Sequence, residues 1–267
     1  MADPVILSAV PSTDIFKDDI FKGKVVFCTG GGSGICYTVV ESLMRHGADA
    51  AIVGRKADRL QASAKELEKT VPGRKCIATP GDVRKFDDLV AAVKQTVEAF
   101  GRIDFVIAGA AGNFMAPIEG VSSNGGSYIH ISATLHYYGL AWQAPASAAK
   151  AGVDALSATA AIEFGPWGIR SNTIAPGPVR GTEGLERLTP KGAEDMIATK
   201  IPMQRVAEKD DIANAAVFLF SPAASYITGT KVVVDGGAWQ TAGAWLPYPD
   251  STLDAKSLRE VIVGSKL

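Results

Sequence analysis

Residues 29–36 read TGGGSGIC, and this run constrains the fold more than any other part of the chain. It follows residues 24–29 (KVVFCT), a short β-branched apolar run that reads as a buried strand. It precedes Ile35, Val39, Val40, Leu43 and Met44, which recur at helical spacing until Gly47. Glycines between a strand and a helix let the backbone turn tightly and approach a pyrophosphate. The helix N-terminus adds free N–H groups and a favourable dipole. Glycine clusters are common in loops, so the position of this one gives it weight. Thr29, Gly30, Gly32, Ser33, Gly34 and Ile35 are therefore candidate nucleotide contacts. Cys36 stands where a third glycine is common, and slightly looser helix–strand packing is expected there.

The pattern repeats. Residues 51–53 read as a second strand, 56–69 (KADRLQASAKELEK) as a charged helix and 76–78 as a third strand. Leu89, Val90, Val93, Val97 and Phe100 mark a helix stopped by Gly101, and 103–108 a fourth strand. Strands at 127–131, 169–174 and 231–234 alternate with helices at 148–161 and 211–220. This alternation predicts a doubly wound α/β fold, one parallel sheet with helices on both faces. One connection is anomalous. A parallel neighbour needs about a dozen or more residues of crossover, usually helical. Between strands four and five stands GAAGNFMAPIEGVSSNGG, which has no 3.6-residue apolar period. The chain reads as one crossover helix short.

The length of 267 residues suits one α/β domain, with an N-terminal extension (1–20), a nucleotide-binding domain (21–240) and a tail (241–267). A net charge of −1 gives no general attraction to nucleic acid or anionic lipid. The longest apolar runs are too short to span a bilayer. The N-terminus lacks the charged and apolar regions of a secretory signal. Cys28, Cys36 and Cys76 are odd in number and form no CxxC or Cys/His cluster, which reads as reduced thiols and no metal site.

An NAD site wants a carboxylate at the end of the second strand, for the ribose 2′-OH. This chain has Gly54-Arg55-Lys56 there. Arg55 is either a solvated start to the next helix or a bidentate partner for a 2′-phosphate, and its placement favours the second, hence NADPH. Asp82, in GDVR, reads equally as an acceptor for an adenine amino group or as a turn cap. Gly109 opens the GAAG run that lets a cofactor pass. Pro176, Gly177, Val179 and Thr182, in PGPVRGT, form a rigid wall rich in backbone donors. His46 and His130 read as structural, and His136 as a polar residue at a rim.

Together with Ser132, Lys150 eighteen positions later and VDGG at 234–237, these motifs resemble the short-chain dehydrogenase/reductase family over residues 21–239. The resemblance implies a Rossmann-like sheet, a Lys150 that binds the nicotinamide ribose, and a Ser132 that belongs to the catalytic site, so that Lys150 and Ser132 are the catalytic candidates. The usual acid, a tyrosine four residues before the lysine, is here Ala146. A narrower resemblance explains it. AAGNF (110–114), ISATLHYYG (131–139), SAAKAGVDAL (147–156), APGPVRGTEGLERL (175–188) and SPAASYITGT (221–230) are similar to peroxisomal 2,4-dienoyl-CoA reductases, a branch that also lacks this tyrosine. It implies hydride addition to the δ-carbon of a 2,4-dienoyl thioester, with a proton returned at the α-carbon to leave a 3-enoyl-CoA. It also implies acyl-CoA contacts from Arg84, Phe114 and Arg187. Tyr137 and Tyr138 read as acyl-pocket aromatics, although a phenol is also a competent acid when its anion is stabilised.

In that branch the stretch before Ser132 carries a helix with an acidic residue of the proton relay. Here nineteen positions separate Asn113 from Ser132, and Glu119 is the one acid among them. Loss of the helix is expected to bare apolar surface on strands four and five, lower stability and compromise a family-like homo-oligomer. A splice form would leave the same trace. Two other functions stay open: another peroxisomal enoyl-CoA or carbonyl reductase of this fold, or an impaired remnant that binds nucleotide without turnover.

The chain ends in Ser265-Lys266-Leu267, the tripeptide that a peroxisomal import receptor reads. Removing these three residues is expected to leave the fold intact and redistribute a fluorescent fusion from peroxisomes to cytosol. Unchanged punctate import would refute the address.

Overall fold

The computed structural model describes residues 8–109, 126–139, 143–188 and 194–241. Seven strands form one sheet in the order β3-β2-β1-β4-β5-β6-β7, with every neighbouring pair parallel. The strands are β1 (Val25–Thr29), β2 (Asp49–Gly54), β3 (Cys76–Pro80), β4 (Phe105–Ala108), β5 (Gly126–Ile131), β6 (Ile169–Pro176) and β7 (Lys231–Val234). The chain winds outward from β1 to β3, then returns to lay β4 on the other side of β1. That reversal is a topological switch point, and ligands of such sheets bind outside the carboxyl ends of the strands beside it.

Burial follows the sequence pattern. β1 is buried at all five positions, as a strand covered on both faces must be. On one face α1 (Gly34–Arg45) and α8 (Lys209–Phe220) pack over Val26, Cys28, Ile52, Ile107, Ile129 and Ile174. On the other, Phe27, Val53, Val106 and Tyr128 form a second cluster with Ala92 of α3 (Phe86–Phe100) and with Phe164 of α5 (Ala144–Phe164). α2 (Ala57–Thr70) completes the edge, burying Leu60, Ala64 and Leu67. At the far end of the sheet the buried Asp104 carboxylate accepts from Lys24 Nζ at 3.1 Å and Val25 N at 3.0 Å, and from the Arg102 guanidinium, tying the starts of β1 and β4 together.

Two expectations need correction. Strands β4 and β5 are not bared: Phe105, Val106, Ile107, Tyr128, Ile129 and Ile131 are all buried, because the two clusters cover them from both faces. The packing at Cys36 is not loose either. A Cβ at Gly109 would overlap Cys36 Sγ, so the thiol fills space that the strand-end glycine leaves empty. The crossover between β4 and β5 lies outside the described residues. Helices α5 and α8 extend past their predicted ends. α5 gains a proline-containing first turn. α8 gains a capping box in which Glu208 N donates to Asp211 Oδ2 at 2.8 Å. The short helices α4 (Leu135–Tyr138), α6 (Glu183–Leu188), α7 (Glu194–Ala198) and α9 (Ala238–Thr241) were not anticipated, being too brief to show a period.

The Gly109–Cys36 fit predicts a mutational cycle. Gly109→Ala is expected to lower urea stability by about 1–3 kcal/mol through overpacking. Cys36→Ala in the same chain should recover part of that loss, since Thr29 O still stands 3.1 Å from the new methyl. Additive losses in the cycle would show that the two residues do not share the space.

Candidate active site

The carboxyl ends of β1, β2 and β4 build one half of the site. Gly30 adopts φ +75° and donates to Val53 O at 2.8 Å, closing the turn that leads into α1. A Cβ on Gly31 would come within 2.6 Å of Ile52 Cγ2, and one on Gly32 within 3.2 Å of Leu60 Cδ1, so the loop lies flat on its neighbours. Ser33 is the N-cap of α1, yet its side chain makes no capping bond. The N–H groups of Gly34, Ile35 and Cys36 are left for an external acceptor, which fits a phosphate. Thr29 Oγ1 accepts from Gly109 N at 3.2 Å and donates to Ile107 O at 3.4 Å, which fixes the far wall.

Arg55 follows β2, exposed to solvent. Gly81 N donates to Gly54 O at 3.0 Å, which brings the Asp82 loop alongside. Asp82 makes a fork with Arg84: Arg84 Nε lies 3.0 and 3.1 Å from its two oxygens and Nη2 lies 2.5 Å from Oδ2. Hydrogen bonds from Arg84, with the Arg55 charge adding to them, hold the Asp82 carboxyl well below the usual carboxylate range. Arg84 is therefore engaged by Asp82, and any phosphate it met would share it with that carboxylate.

The other half lies at the ends of β5 and β6. Ser132 N donates to Ile174 O at 2.8 Å and Thr134 N to Pro176 O at 3.2 Å, so the Ser-Ala-Thr turn is laced to β6. Lys150 on α5 donates from Nζ to Ile131 O at 2.8 Å, and Ser132 Oγ donates to Lys150 O at 3.4 Å. The two residues are neighbours, as their spacing predicted. Burial lowers the Lys150 pKa, and the Cys36 and Asp154 side chains oppose that shift. Gly177 sits so close to Asp235 that a Cβ would reach its Cβ at 2.7 Å. Val179 is buried in the core, and the Thr182 hydroxyl donates to Val179 O at 2.8 Å.

The acyl-pocket candidates separate. Tyr137 and Tyr138 lie on α4, directly after the Ser132 turn. Tyr137 packs edge-on against Trp239 of α9 with centroids 5.5 Å apart. Arg187 falls on α6, and its side chain lies outside the described residues, as do Phe114, Glu119 and the terminal Ser265-Lys266-Leu267. His46 and His130 are structural, as expected: His46 bonds Lys17 O and Ser12 Oγ, and His130 bonds Ser171 Oγ at 3.2 Å. His136 is not a rim residue. Its side chain is 10% exposed and its Nε2 lies 2.9 Å from Asp154 Oδ2. Asp154 and Trp239 had not been singled out. The signal for Asp154 was available, because i,i+4 spacing from Lys150 puts both on one face of the helix.

A separate cavity of about 850 Å³ is lined by Thr38, Glu41, Arg180, Arg205, Lys209 and Asp210 among others. It shares only Arg180 and Gly181 with the PGPVRGT segment. Its arginines are already paired, Arg180 with Glu194 and Glu208, Arg205 with Asp211. Among the described residues no cluster could hold a metal, and no helix is long and apolar enough to cross a membrane.

Two family profiles match the chain: short chain dehydrogenase over residues 24–124 and Enoyl-(Acyl carrier protein) reductase over residues 113–238. Among individual proteins, it is 45% identical to the peroxisomal 2,4-dienoyl-CoA reductase [(3E)-enoyl-CoA-producing] of Saccharomyces cerevisiae, covering 84% of this chain and 87% of that one. It is 42% identical to the Danio rerio protein of the same description, over 86% of each chain. The yeast match runs over 253 residues while covering 84% of 267, so it contains positions with no counterpart here. Among solved structures, it superposes on 7α-hydroxysteroid dehydrogenase complexed with NADH at TM-score 0.75 and 25% identity, covering 84% of this chain and 98% of that one. L-sorbose reductase from Gluconobacter frateurii, complexed with NADPH and L-sorbose, matches at TM-score 0.74 and 25% identity, over 84% and 100%.

The buried histidine beneath α5 predicts a pH dependence. Burial drives the His130 pKa down to about 4, with the Asp154 charge opposing. The unfolded chain takes up a proton near pH 6.5 and the folded one does not. This contribution is complete above about pH 6.5, falls as pH drops toward about 4, and is constant below, amounting to about 3 kcal/mol. His130→Gln should therefore lose less stability than the parent between pH 7.5 and 4.5 in urea denaturation. Identical losses would show that His130 protonates freely in the folded state.

Proposed function

Because the chain belongs to the short-chain dehydrogenase/reductase family, we propose that it is an NADPH-dependent 2,4-dienoyl-CoA reductase that yields a 3-enoyl-CoA in the peroxisome. The observation that carries this reading is a site that keeps Lys150 and Ser132 in contact at the carboxyl end of β5 while position 146 is alanine. Reduction of a carbonyl leaves an alkoxide that needs an adjacent acid, and α5 offers none at that position. A dienoyl thioester distributes the incoming electrons to its thioester oxygen. That anion asks first for stabilisation and afterwards for a proton on carbon. The relatives at 45% and 42% identity bear the same description and support the same assignment.

The nucleotide half has the parts that NADPH needs. The Gly30–Gly34 cradle and the uncapped start of α1 suit the pyrophosphate, and Arg55 suits the 2′-phosphate. Asp82 stands beside the adenine position. When bound, the cofactor supplies the hydride. Lys150 is the half-buried cation assigned to the junction of cofactor and substrate, and it acts by holding hydroxyls and by its charge. Gly109, Pro176, Gly177 and the Val179 backbone wall the nicotinamide side. Tyr137, Tyr138, Phe114, Arg84 and Arg187 serve the acyl-CoA. Ser265-Lys266-Leu267 addresses the protein to the import receptor.

The test is NADPH oxidation with a 2,4-dienoyl-CoA, with a 3-enoyl-CoA as the product by mass spectrometry. No turnover under conditions in which the yeast relative is active would overturn the assignment. Arg55→Asp should raise KM for NADPH about 100-fold or more and change that for NADH little, since a carboxylate would face the 2′-phosphate. Equal losses for both nucleotides would remove Arg55 as the reader of that phosphate.

A further inference from the structure

Beneath α5, four titratable side chains from three elements converge on one buried carboxylate. Asp154 lies one turn after Lys150 on the same helix face, and its side chain is 6% exposed. From α4, His136 Nε2 lies 2.9 Å from its Oδ2, and the Tyr137 hydroxyl donates to the same oxygen at 3.4 Å. From β7, Lys231 Nζ stands at 3.9 Å. His130 faces it from β5 and feels its charge. Asp154 Oδ1 and His136 Nδ1 are buried with no partner among the described residues. A buried acid serving only to fasten two helices would be expected to satisfy both of its oxygens. This one spends a single oxygen on the two side chains that flank the Ser132 turn.

We propose that Asp154 is a positioning residue of the reductase site, holding His136 and Tyr137 of α4 in place and setting a negative charge one helical turn from Lys150. The proposal rests on the reductase reading and deepens it. α4 begins three residues after Ser132 and carries both tyrosine candidates for the acyl pocket. Its placement is decided by few interactions. Thr134 N is bonded to Pro176 O, His136 and Tyr137 are stacked edge-on at 4.4 Å, and Tyr137 leans on Trp239. A four-residue helix has no stability of its own, so the Asp154 bonds determine where the Tyr137 ring stands. Toward Lys150 the effect is electrostatic: burial lowers its pKa, and the Asp154 carboxylate opposes that shift.

Asp154→Asn tests this in the full chain, since the amide keeps the size and one acceptor oxygen but removes the charge. The expected result is a fall in kcat of about 10- to 100-fold with the 2,4-dienoyl-CoA, and a KM for NADPH within about 3-fold of the parent. The alkaline limb of the kcat profile should move to lower pH, because Lys150 loses the charge that holds its proton. Tyr137, pushed up to about 12 by burial and by Asp154, should form tyrosinate at lower pH in the variant. Ultraviolet titration of the variant against Tyr137→Phe reads this without any turnover. His136→Gln, cutting the same bond from α4, should reproduce part of the fall in kcat and leave the alkaline limb in place. Unchanged kcat and pH profile in Asp154→Asn would overturn the proposal. So would parallel losses of kcat, NADPH binding and melting temperature with no shift of the alkaline limb, which is the mark of a purely structural acid. If the parent binds NADPH but turns over no dienoyl-CoA, the reductase reading fails by itself. The tyrosinate titration then decides whether Asp154 governs Tyr137.

Discussion

The close approach of β1 and β4 at their carboxyl ends is the constraint on which the rest of the site depends. Two backbones meet there through Thr29 and Gly109, with a Cys36 thiol seated where a Cβ on Gly109 would stand. This contact sets the distance between the first glycine turn and the strand that walls the opposite side. It also anchors the first turn of α1, whose free N–H groups are donors suited to a phosphate oxygen. A larger residue at position 109 would push α1 outward and misplace those donors. The choice of cysteine over a third glycine is compensated across the interface, since interiors conserve volume rather than identity.

The second half of the site hangs on β6. Backbone bonds from Ser132 to Ile174 and from Thr134 to Pro176 hold the turn after β5 against the strand that leads into Pro176–Gly177. Lys150 then closes the gap from above by donating to Ile131 O. Its ammonium is desolvated, and two flanking groups, Cys36 and Asp154, oppose the loss of its proton. Below it runs a column of buried polar groups, Asp154, His130, Ser157 and Ser171, linked in part by hydrogen bonds. In a low-dielectric interior such a column carries strong electrostatic leverage, and it lies directly under the helix that presents Lys150.

How much of this was legible follows from the period of each signal. The alternation of apolar strands and amphipathic helices is a long-wavelength pattern, and it yielded the parallel sheet with helices on both faces; the strand order, and with it the switch point, came from the tertiary structure. The TGGGSGIC turn, Arg55 after β2, and Ser132 with Lys150 are local or fixed-spacing signals; the structure puts the first between β1 and α1, the second at the end of β2 and the last two in contact. Short helices such as Leu135–Tyr138 leave no period to read and form only because neighbours hold them. The fork of Asp82 with Arg84 is two residues apart in sequence, yet which partner each prefers depends on the loop that Gly81 pins to Gly54.

The sequence by itself determined the layered α/β architecture, the glycine cradle and the lysine without its tyrosine, because each is written in spacing along one element. The tertiary structure alone decided that strands four and five are covered, that Cys36 fits against Gly109, and that His136 is buried against Asp154. Those outcomes depend on side chains far apart in the chain meeting at a common distance. No periodicity along the chain encodes such a distance. It is fixed only when helices and strands pack to van der Waals contact.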